Sequence, residues 1–200
     1  MSEYIELSKE NGILSISLNR LDKKNALTAA MYSELAEIFR SEVTDVNAVI
    51  LYGGSDFTAG NDLADFLDNP PTNSDAPVYE FMRALTNCPI PVIAAVDGVA
   101  VGIGTTLLLH CDFVYATDNS LFIMPFINLA VVPEFASSLL LPLRVGHVKA
   151  AEMLLLGEKF DATTALQYGI INQVCGADNL LATATATAEK LSAKPRAALI

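Results

Sequence analysis

Histidine is scarce in this sequence, which contains only His110 and His147 among its 200 residues. Neither histidine lies in an HExxH pattern or in a cluster with cysteine, so the sequence predicts no metal site. A Ser-His-Asp triad would need one of these two histidines, and no GxSxG motif is present to carry its serine. The absence of a Walker A motif also argues against a P-loop nucleotide site.

Cysteines and basic residues are also few. Cys88, Cys111 and Cys175 are scattered and form no CxxC pair, so we expect reduced core residues rather than disulfides. The 12 Lys and Arg residues against 23 Asp and Glu residues leave a formal charge of −11. A chain with this charge repels nucleic acid and anionic membranes, so neither is expected as a partner.

No stretch of the sequence is apolar for long enough to span a membrane, because the longest runs are broken by His110, Asp112 and Asp118. The first residues have neither the basic region nor the apolar region of a signal peptide. Apolar residues still make up 52% of the chain, which is enough for one full core. We therefore expect a single domain over residues 1–200 in a cytoplasmic protein.

Strand and helix patterns alternate along the chain, which predicts an α/β fold. Alternating runs on both sides of Asn11-Gly12 predict a β-hairpin, and Thr28 predicts the N-cap of a helix that continues to about Ser41. Further strands are predicted at Ala48–Tyr52, Pro91–Val96, Phe113–Ala116 and Ile171–Val174. Further helices are predicted at Val78–Asn87, Ile103–His110, Glu134–Leu141, Val148–Leu156, Asp161–Tyr168 and Ala177–Ala193. The polar, proline-rich segment 69–75 is predicted to be irregular and mobile.

Two glycine-containing turns follow predicted strands, at residues 57–63 and 97–104. Part of the second turn, Gly102-Ile103-Gly104, is similar to a dinucleotide fingerprint, but Leu107 replaces the third glycine and the strand lies mid-chain. Small residues ahead of a helix expose N–H groups and a positive dipole end to an anion. Either turn alone is more often only a tight connection, whereas two turns in matching contexts favour a function.

With these turns in place, the chain resembles the crotonase superfamily, also called the enoyl-CoA hydratase/isomerase family. The resemblance extends from Leu18-Asn19-Arg20, through Lys24-Asn25-Ala26-Leu27, to about Gly169-Ile170-Ile171-Asn172. It implies a crotonase-like spiral of ββα units over about residues 1–175, with residues 176–200 beginning a C-terminal helical region that is shortened. It also implies an acyl-CoA substrate, no cofactor beyond the coenzyme A moiety of that substrate, and a homotrimer or dimer of trimers.

The resemblance implies that the thioester oxygen lies between the backbone N–H groups of Asn61 and Ile103. One such donor is typically worth about 10²–10³ in rate. By position, coenzyme A would contact the following five residues: Lys24, Ala26, Ala59, Asp62 and Leu63.

The carboxylates indicate which reaction the site would catalyse. The family's hydratases carry two glutamates, and the matching positions here are Thr106 and Phe126, which cannot act on water as an acid and base. Pro133-Glu134 instead resembles the Δ3,Δ2-enoyl-CoA isomerase branch, although Phe135 replaces the glycine that commonly follows the glutamate there. Glu134 would then move a proton from C2 to C4, with its pKa raised by apolar neighbours.

Alternative interpretations stay open from the sequence. Glu134 could be a solvated glutamate in the first turn of a helix, where its charge is favourable. The chain could be a non-catalytic acyl-CoA-binding homologue, or it could catalyse another crotonase reaction such as thioester hydrolysis or hydration. The isomerase interpretation is favoured because one carboxylate is sufficient for an internal proton transfer.

Overall fold

The computed structural model describes residues 3–199, which form two sheets with helices on both sides of the larger one. The strands are β1 (Ile5–Glu10), β2 (Ile13–Leu18), β3 (Ala48–Tyr52), β4 (Val92–Val96), β5 (Val99–Val101), β6 (Phe113–Thr117), β7 (Leu121–Ile123), β8 (Phe160–Asp161) and β9 (Gln173–Cys175). The helices are α1 (Ala29–Ser41), α2 (Leu63–Asp68), α3 (Pro77–Thr86), α4 (Ile103–Thr106), α5 (Ser137–Val145), α6 (His147–Leu156), α7 (Ala162–Gln167) and α8 (Leu180–Ser192). Short 3-10 segments occur at Leu21–Lys23, Leu107–His110, Phe126–Leu129, Ala177–Asn179 and Arg196–Ala198.

The larger sheet has the strand order β1-β2-β3-β4-β6-β9, in which only the β1–β2 pair is antiparallel. The smaller sheet has the order β5-β7-β8, and Thr58 is bridged to Ala100 at its open edge. The chain therefore passes through the smaller sheet after three strands of the larger one. It forms the Thr58 bridge after β3, strand β5 after β4, and strand β7 after β6, and each time it then enters a helix. These successive turns stack beside one another, so the connections that follow β3 and β4 become neighbours.

The two faces of the larger sheet are covered differently. On one face α1 and α3 pack together over the main core, which contains Met31, Leu35, Phe39 and Phe81. On the other face α8 crosses β3, β4 and β6 and contributes small side chains such as Ala184.

Among residues 3–199, no helix is long and apolar enough to cross a membrane.

Most of the elements predicted from the sequence are confirmed. The hairpin turns at Asn11 and Gly12, with φ of 53° and 75°, which matches the positive values that a two-residue hairpin turn requires. The Thr28 side chain accepts a hydrogen bond from the Met31 N–H at 3.3 Å and caps α1 as expected. The segment 69–75 has no regular structure, and its mobility stays a prediction.

Several predicted boundaries are wrong. The helix predicted from Glu134 begins at Ser137, because the preceding residues Phe135 and Ala136 are left-handed. The helix at Ile103–His110 is α-helical only to Thr106 and then tightens to a 3-10 helix. The last strand lies at Gln173–Cys175 rather than Ile171–Val174, and α2 and the short strands β5, β7 and β8 were not predicted.

Candidate active site

The two glycine turns lie side by side. The Thr58 N–H donates to the Val99 carbonyl and the Val101 N–H donates to the Thr58 carbonyl, both at 3.0 Å. Gly60 has φ of +85°, and a Cβ atom there would lie 2.5 Å from the Val101 carbonyl oxygen. Only glycine allows both this backbone conformation and this close approach, which explains the glycine at the first turn.

Each turn carries a backbone N–H group that is left free. The Leu27 N–H donates to the Gly60 carbonyl, and the Asp62 N–H donates to the Leu27 carbonyl, at 2.7 and 2.9 Å. Because successive N–H groups of an extended segment point to opposite sides, the Asn61 N–H points away from Leu27. Within residues 3–199 neither this N–H nor that of Ile103, the first residue of α4, donates a hydrogen bond. Two donors are thus available to an anionic oxygen.

A buried amide holds the first turn against the segment that contains Lys24. The Asn25 side chain is fully buried and donates to the carbonyls of Gly53 and Asp56 at 2.6 and 2.7 Å. Its side-chain oxygen accepts from the Arg20 N–H at 2.7 Å, and the Asn25 backbone carbonyl accepts from the Thr58 hydroxyl at 2.7 Å. Sequence reasoning used Asn25 only as part of a motif, and a fully paired amide at the centre of this junction explains why asparagine fits there.

The five residues predicted to contact coenzyme A lie on the two segments that this junction joins, at 24–27 and 59–63. Lys24 is exposed and its Nζ lies 3.5 Å from Asp56, while the Lys24 carbonyl accepts from the Ala59 N–H at 2.8 Å. The Asp62 carboxylate is paired with Arg20 at 2.6 Å and caps α2, which lowers the pKa of Asp62. A ligand would therefore meet Asp62 through its backbone.

The remaining two predicted contacts, Ala26 and Leu63, differ in their surroundings. The Ala26 carbonyl accepts a hydrogen bond from Arg20 at 2.9 Å, and the Leu63 side chain is 58% exposed. The structure thus brings these residues together at one surface, and their contact with coenzyme A stays a prediction.

Glu134 lies in the turn before α5. The residue as a whole is partly exposed, but its Oε1 atom is buried and has no hydrogen-bond partner among the described residues. Desolvation raises the pKa of Glu134 from 4.5 to about 7. The alternative of a solvated glutamate at a helix N-terminus is therefore wrong.

Tyr32 connects the surroundings of Glu134 to the first turn. Its hydroxyl donates to the Asn61 side-chain oxygen, and its ring is buried on the apolar face of α1. Burial raises the pKa of Tyr32, and the nearby charges of Glu134 and Asp65 raise that pKa further. Sequence reasoning missed Tyr32, although a tyrosine on an otherwise apolar helix face indicates a hydroxyl that needs a buried partner.

The two positions that match the hydratase glutamates, Thr106 and Phe126, are buried and carry no carboxylate. Thr106 is fully buried, with its hydroxyl 3.5 Å from the Ile103 carbonyl, and Phe126 is 5% exposed.

A cavity beside Asn61 is lined largely by apolar side chains, including those of Leu27, Phe66 and Val78. Within residues 3–199 there is no group of three His, Cys, Asp or Glu side chains that could hold a metal ion.

The raised pKa of Glu134 predicts a pH-dependent gain in stability for Glu134→Gln. A group whose folded pKa lies above its unfolded value stabilises the protein below pH 4.5 and loses that contribution as the pH rises through about 7. At about pH 9 the ionised wild-type residue should cost up to about 3 kcal/mol that the amide avoids. Urea unfolding of both proteins at about pH 4.5 and pH 9 measures this difference.

The control for this stability prediction is Glu189→Gln, which makes the same change at an exposed position of α8. Its free energy of unfolding should follow that of the wild type at both pH values. An equal gain for Glu134→Gln at both pH values would contradict the assigned pKa.

Comparison with known proteins places this geometry in a family. The family described as Enoyl-CoA hydratase/isomerase matches residues 8–200. The chain is 36% identical over 181 residues to "Enoyl-CoA delta isomerase 2" of Rattus norvegicus, covering 86% of this chain and 46% of that protein. It is 35% identical to "1,2-epoxyphenylacetyl-CoA isomerase" of Escherichia coli strain K12, covering 98% of this chain and 78% of that protein. The chain spans about half the length of the first of these relatives.

Solved structures agree with the sequence relatives. A putative enoyl-CoA hydratase/carnithine racemase from Magnetospirillum magneticum AMB-1 superimposes with a TM-score of 0.96 at 48% identity, over all of this chain and 80% of that one. This likeness confirms the α/β crotonase-like fold that the resemblance implied. The chain belongs to the enoyl-CoA hydratase/isomerase family and is similar to its isomerase branch.

Proposed function

We propose that this chain moves the double bond of a 3-enoyl-CoA to the 2-position through an oxyanion-stabilised dienolate. The observation that carries the proposal is the Glu134 carboxylate, whose buried Oε1 has no hydrogen-bond partner among residues 3–199 and whose pKa, raised to about 7, suits proton transfer near neutral pH. The two free N–H groups of Asn61 and Ile103 supply the complementary half of the site.

The reaction needs one base and no other reactant. The ionised Glu134 takes a proton from C2, and the electrons of that C–H bond delocalise through C1 and onto the thioester oxygen. The N–H groups of Asn61 and Ile103 donate to this oxygen while it carries the charge. Protonated Glu134 then returns the proton at C4, the thioester carbonyl reforms, and the double bond lies between C2 and C3.

Burial of Glu134 supports its use in both directions of proton transfer. With a pKa of about 7, the carboxyl group is about half ionised at neutral pH, so it can start as a base and act as an acid in the second step. Because its Oε1 has no hydrogen-bond partner in the described part of the chain, no such bond has to break before this atom accepts a proton. Hydration is disfavoured because Thr106 and Phe126 supply no second carboxylate to hold and activate water.

The rest of the proposed binding follows from the same placement. Coenzyme A would lie along Lys24, Ala26, Ala59, Asp62 and Leu63, largely on backbone groups and the Lys24 ammonium.

We also propose a cytoplasmic homotrimer or dimer of trimers. Exposed apolar side chains around α5 and α6 support an assembly, because large apolar patches on a surface mark interfaces; they include Val132, Leu143, Val148 and Leu155.

The test is a comparison of substrates with the wild-type chain. We expect it to convert trans-3-hexenoyl-CoA to the 2-enoyl product, and to hydrate crotonyl-CoA at least about 10²-fold more slowly because the second carboxylate is missing. Product analysis by chromatography of both reactions measures this ratio.

Two results would contradict the proposal. Faster hydration than isomerisation would show that another group activates water. Tight binding of acyl-CoA without turnover of either substrate would favour the non-catalytic alternative. The similarity to the Escherichia coli relative also favours a second candidate reaction, the isomerisation of 1,2-epoxyphenylacetyl-CoA, and a parallel assay with that compound tests it.

A further inference from the structure

The backbone after Glu134 adopts an unusual conformation. Phe135 and Ala136 have φ of 54° and 53°, so two consecutive residues with side chains lie in the left-handed region. Bulky residues avoid this region, and they are kept there only where surrounding contacts determine the conformation. The contacts around Phe135 therefore decide where the Glu134 carboxylate lies.

His110 makes the closest of these contacts. Its ring stacks on the Phe135 ring with centroids 3.9 Å apart and planes inclined by 22°. Its Nε2 atom lies 2.8 Å from the Phe135 carbonyl oxygen. Because a carbonyl oxygen can only accept, Nε2 carries the proton and donates it. His110 thus fixes both the side chain and the peptide group of Phe135.

Two further contacts complete a clamp on this turn. The Phe135 ring meets Phe81 of α3 edge-on at 6.3 Å, on a second element of the core. The Glu134 carbonyl accepts from both the N–H and the hydroxyl of Ser137, at 3.0 and 2.6 Å. The carbonyls of Glu134 and Phe135 are held by hydrogen bonds, while the side-chain Oε1 of Glu134 has none among residues 3–199. A base needs this combination of a fixed position and a free lone pair.

His110 also joins the two halves of the candidate site. It ends the helical segment that begins at Ile103, whose N–H is the second proposed oxyanion donor. A shift of the turn at Phe135 relative to this segment would therefore change the position of the carboxylate relative to that donor. We propose that His110 is a positioning residue that acts through Phe135 to hold Glu134 in place for proton transfer. This inference rests on the proposed function.

The first part of the test uses His110→Ala, which removes the stack and the donor. We expect kcat for trans-3-hexenoyl-CoA to fall by about 10–100-fold, since a misplaced reacting group costs about this much. KM should change little, because the stack and the hydrogen bond of His110 are both made to Phe135 and not to the segments proposed to bind coenzyme A. His110→Phe is the matched variant, which keeps an aromatic ring for the stack and loses only the hydrogen bond, so its loss should be smaller.

The second part is rescue by Phe135→Gly in the His110→Ala background. Glycine adopts a φ near +54° without a clamp, so the double variant should recover to within about threefold of Phe135→Gly alone. A His110 that contributed only general stability would lower the melting temperature, and this change at Phe135 would not restore kcat.

The third part is a readout that does not depend on turnover. In protein labelled with ¹³C at glutamate carboxyl groups, NMR titration should give a pKa of about 7 for Glu134 in the wild type. In His110→Ala this pKa should fall toward 4.5, as the loosened turn lets water reach the carboxylate, and it should rise again in the double variant. Tyr32, the titratable neighbour that senses the charge of Glu134, has a raised pKa and stays neutral over this range.

The outcomes separate this inference from the proposed function. An unchanged kcat and an unchanged Glu134 pKa in His110→Ala would overturn the positioning role, and so would failure of the rescue at Phe135. The expected pKa changes in a protein that turns over no 3-enoyl-CoA would support the positioning role while the proposed reaction fails.

Discussion

Glu134→Gln should lower kcat for trans-3-hexenoyl-CoA by about 10²–10⁴-fold, the usual contribution of a positioned acid or base. The amide has the same shape as the carboxyl group but cannot take a proton from C2. The fall should therefore appear in kcat, while binding of the acyl-CoA stays close to that of the wild type. Steady-state kinetics together with calorimetric titration of a non-reactive acyl-CoA measures the two quantities separately.

The pH dependence of the wild type gives a second check on the same residue. Only the ionised form of Glu134 can start the reaction, so kcat should rise with pH and level off above about pH 7. Glu189→Gln, the exposed matched change, should keep the full rate and the same profile. A Glu134→Gln variant that keeps more than about a tenth of the wild-type rate would remove Glu134 from the base role.

Five of the six strands of the larger sheet were predictable from the sequence because they have five or six residues, which is long enough to show a pattern. The runs that became β1, β2, β3 and β6 alternate or are continuously apolar, and local pattern decides such segments. The smaller sheet was missed because β7 and β8 have three and two residues. Such short strands form because they pair with strands elsewhere in the chain, and a local sequence pattern cannot predict that pairing.

The turn at Glu134 shows a different limit. A sequence of Glu134, Phe135 and Ala136 favours a helix, because all three residues are compatible with one and a glutamate suits its first turn. The structure instead holds Phe135 in the left-handed region through His110, which lies 25 residues earlier. Resemblance to a family could identify Glu134, but local propensity could not predict a conformation that distant contacts impose.

Gly60→Ala should remove most of the activity through the oxyanion donor rather than the base. Gly60 has φ of +85°, and an added Cβ would lie 2.5 Å from the Val101 carbonyl oxygen, a backbone atom that cannot rotate away. The two turns would have to separate, which would move the Asn61 N–H from its place beside the second turn. Loss of one such donor costs about 10²–10³ in kcat, so we expect a fall of that size in steady-state turnover of trans-3-hexenoyl-CoA.

Gly146→Ala is the control that separates the clash from backbone strain. Gly146 has φ of +83°, nearly the same as Gly60, but an added Cβ would meet nothing within 4 Å. Both variants place a side chain at an unfavourable positive φ, so both should be less stable in thermal unfolding. Only Gly60→Ala should lose turnover measured well below its melting temperature. Equal turnover in the two variants would contradict the oxyanion role of the first turn, because the close approach of the turns would then have no effect on the reaction.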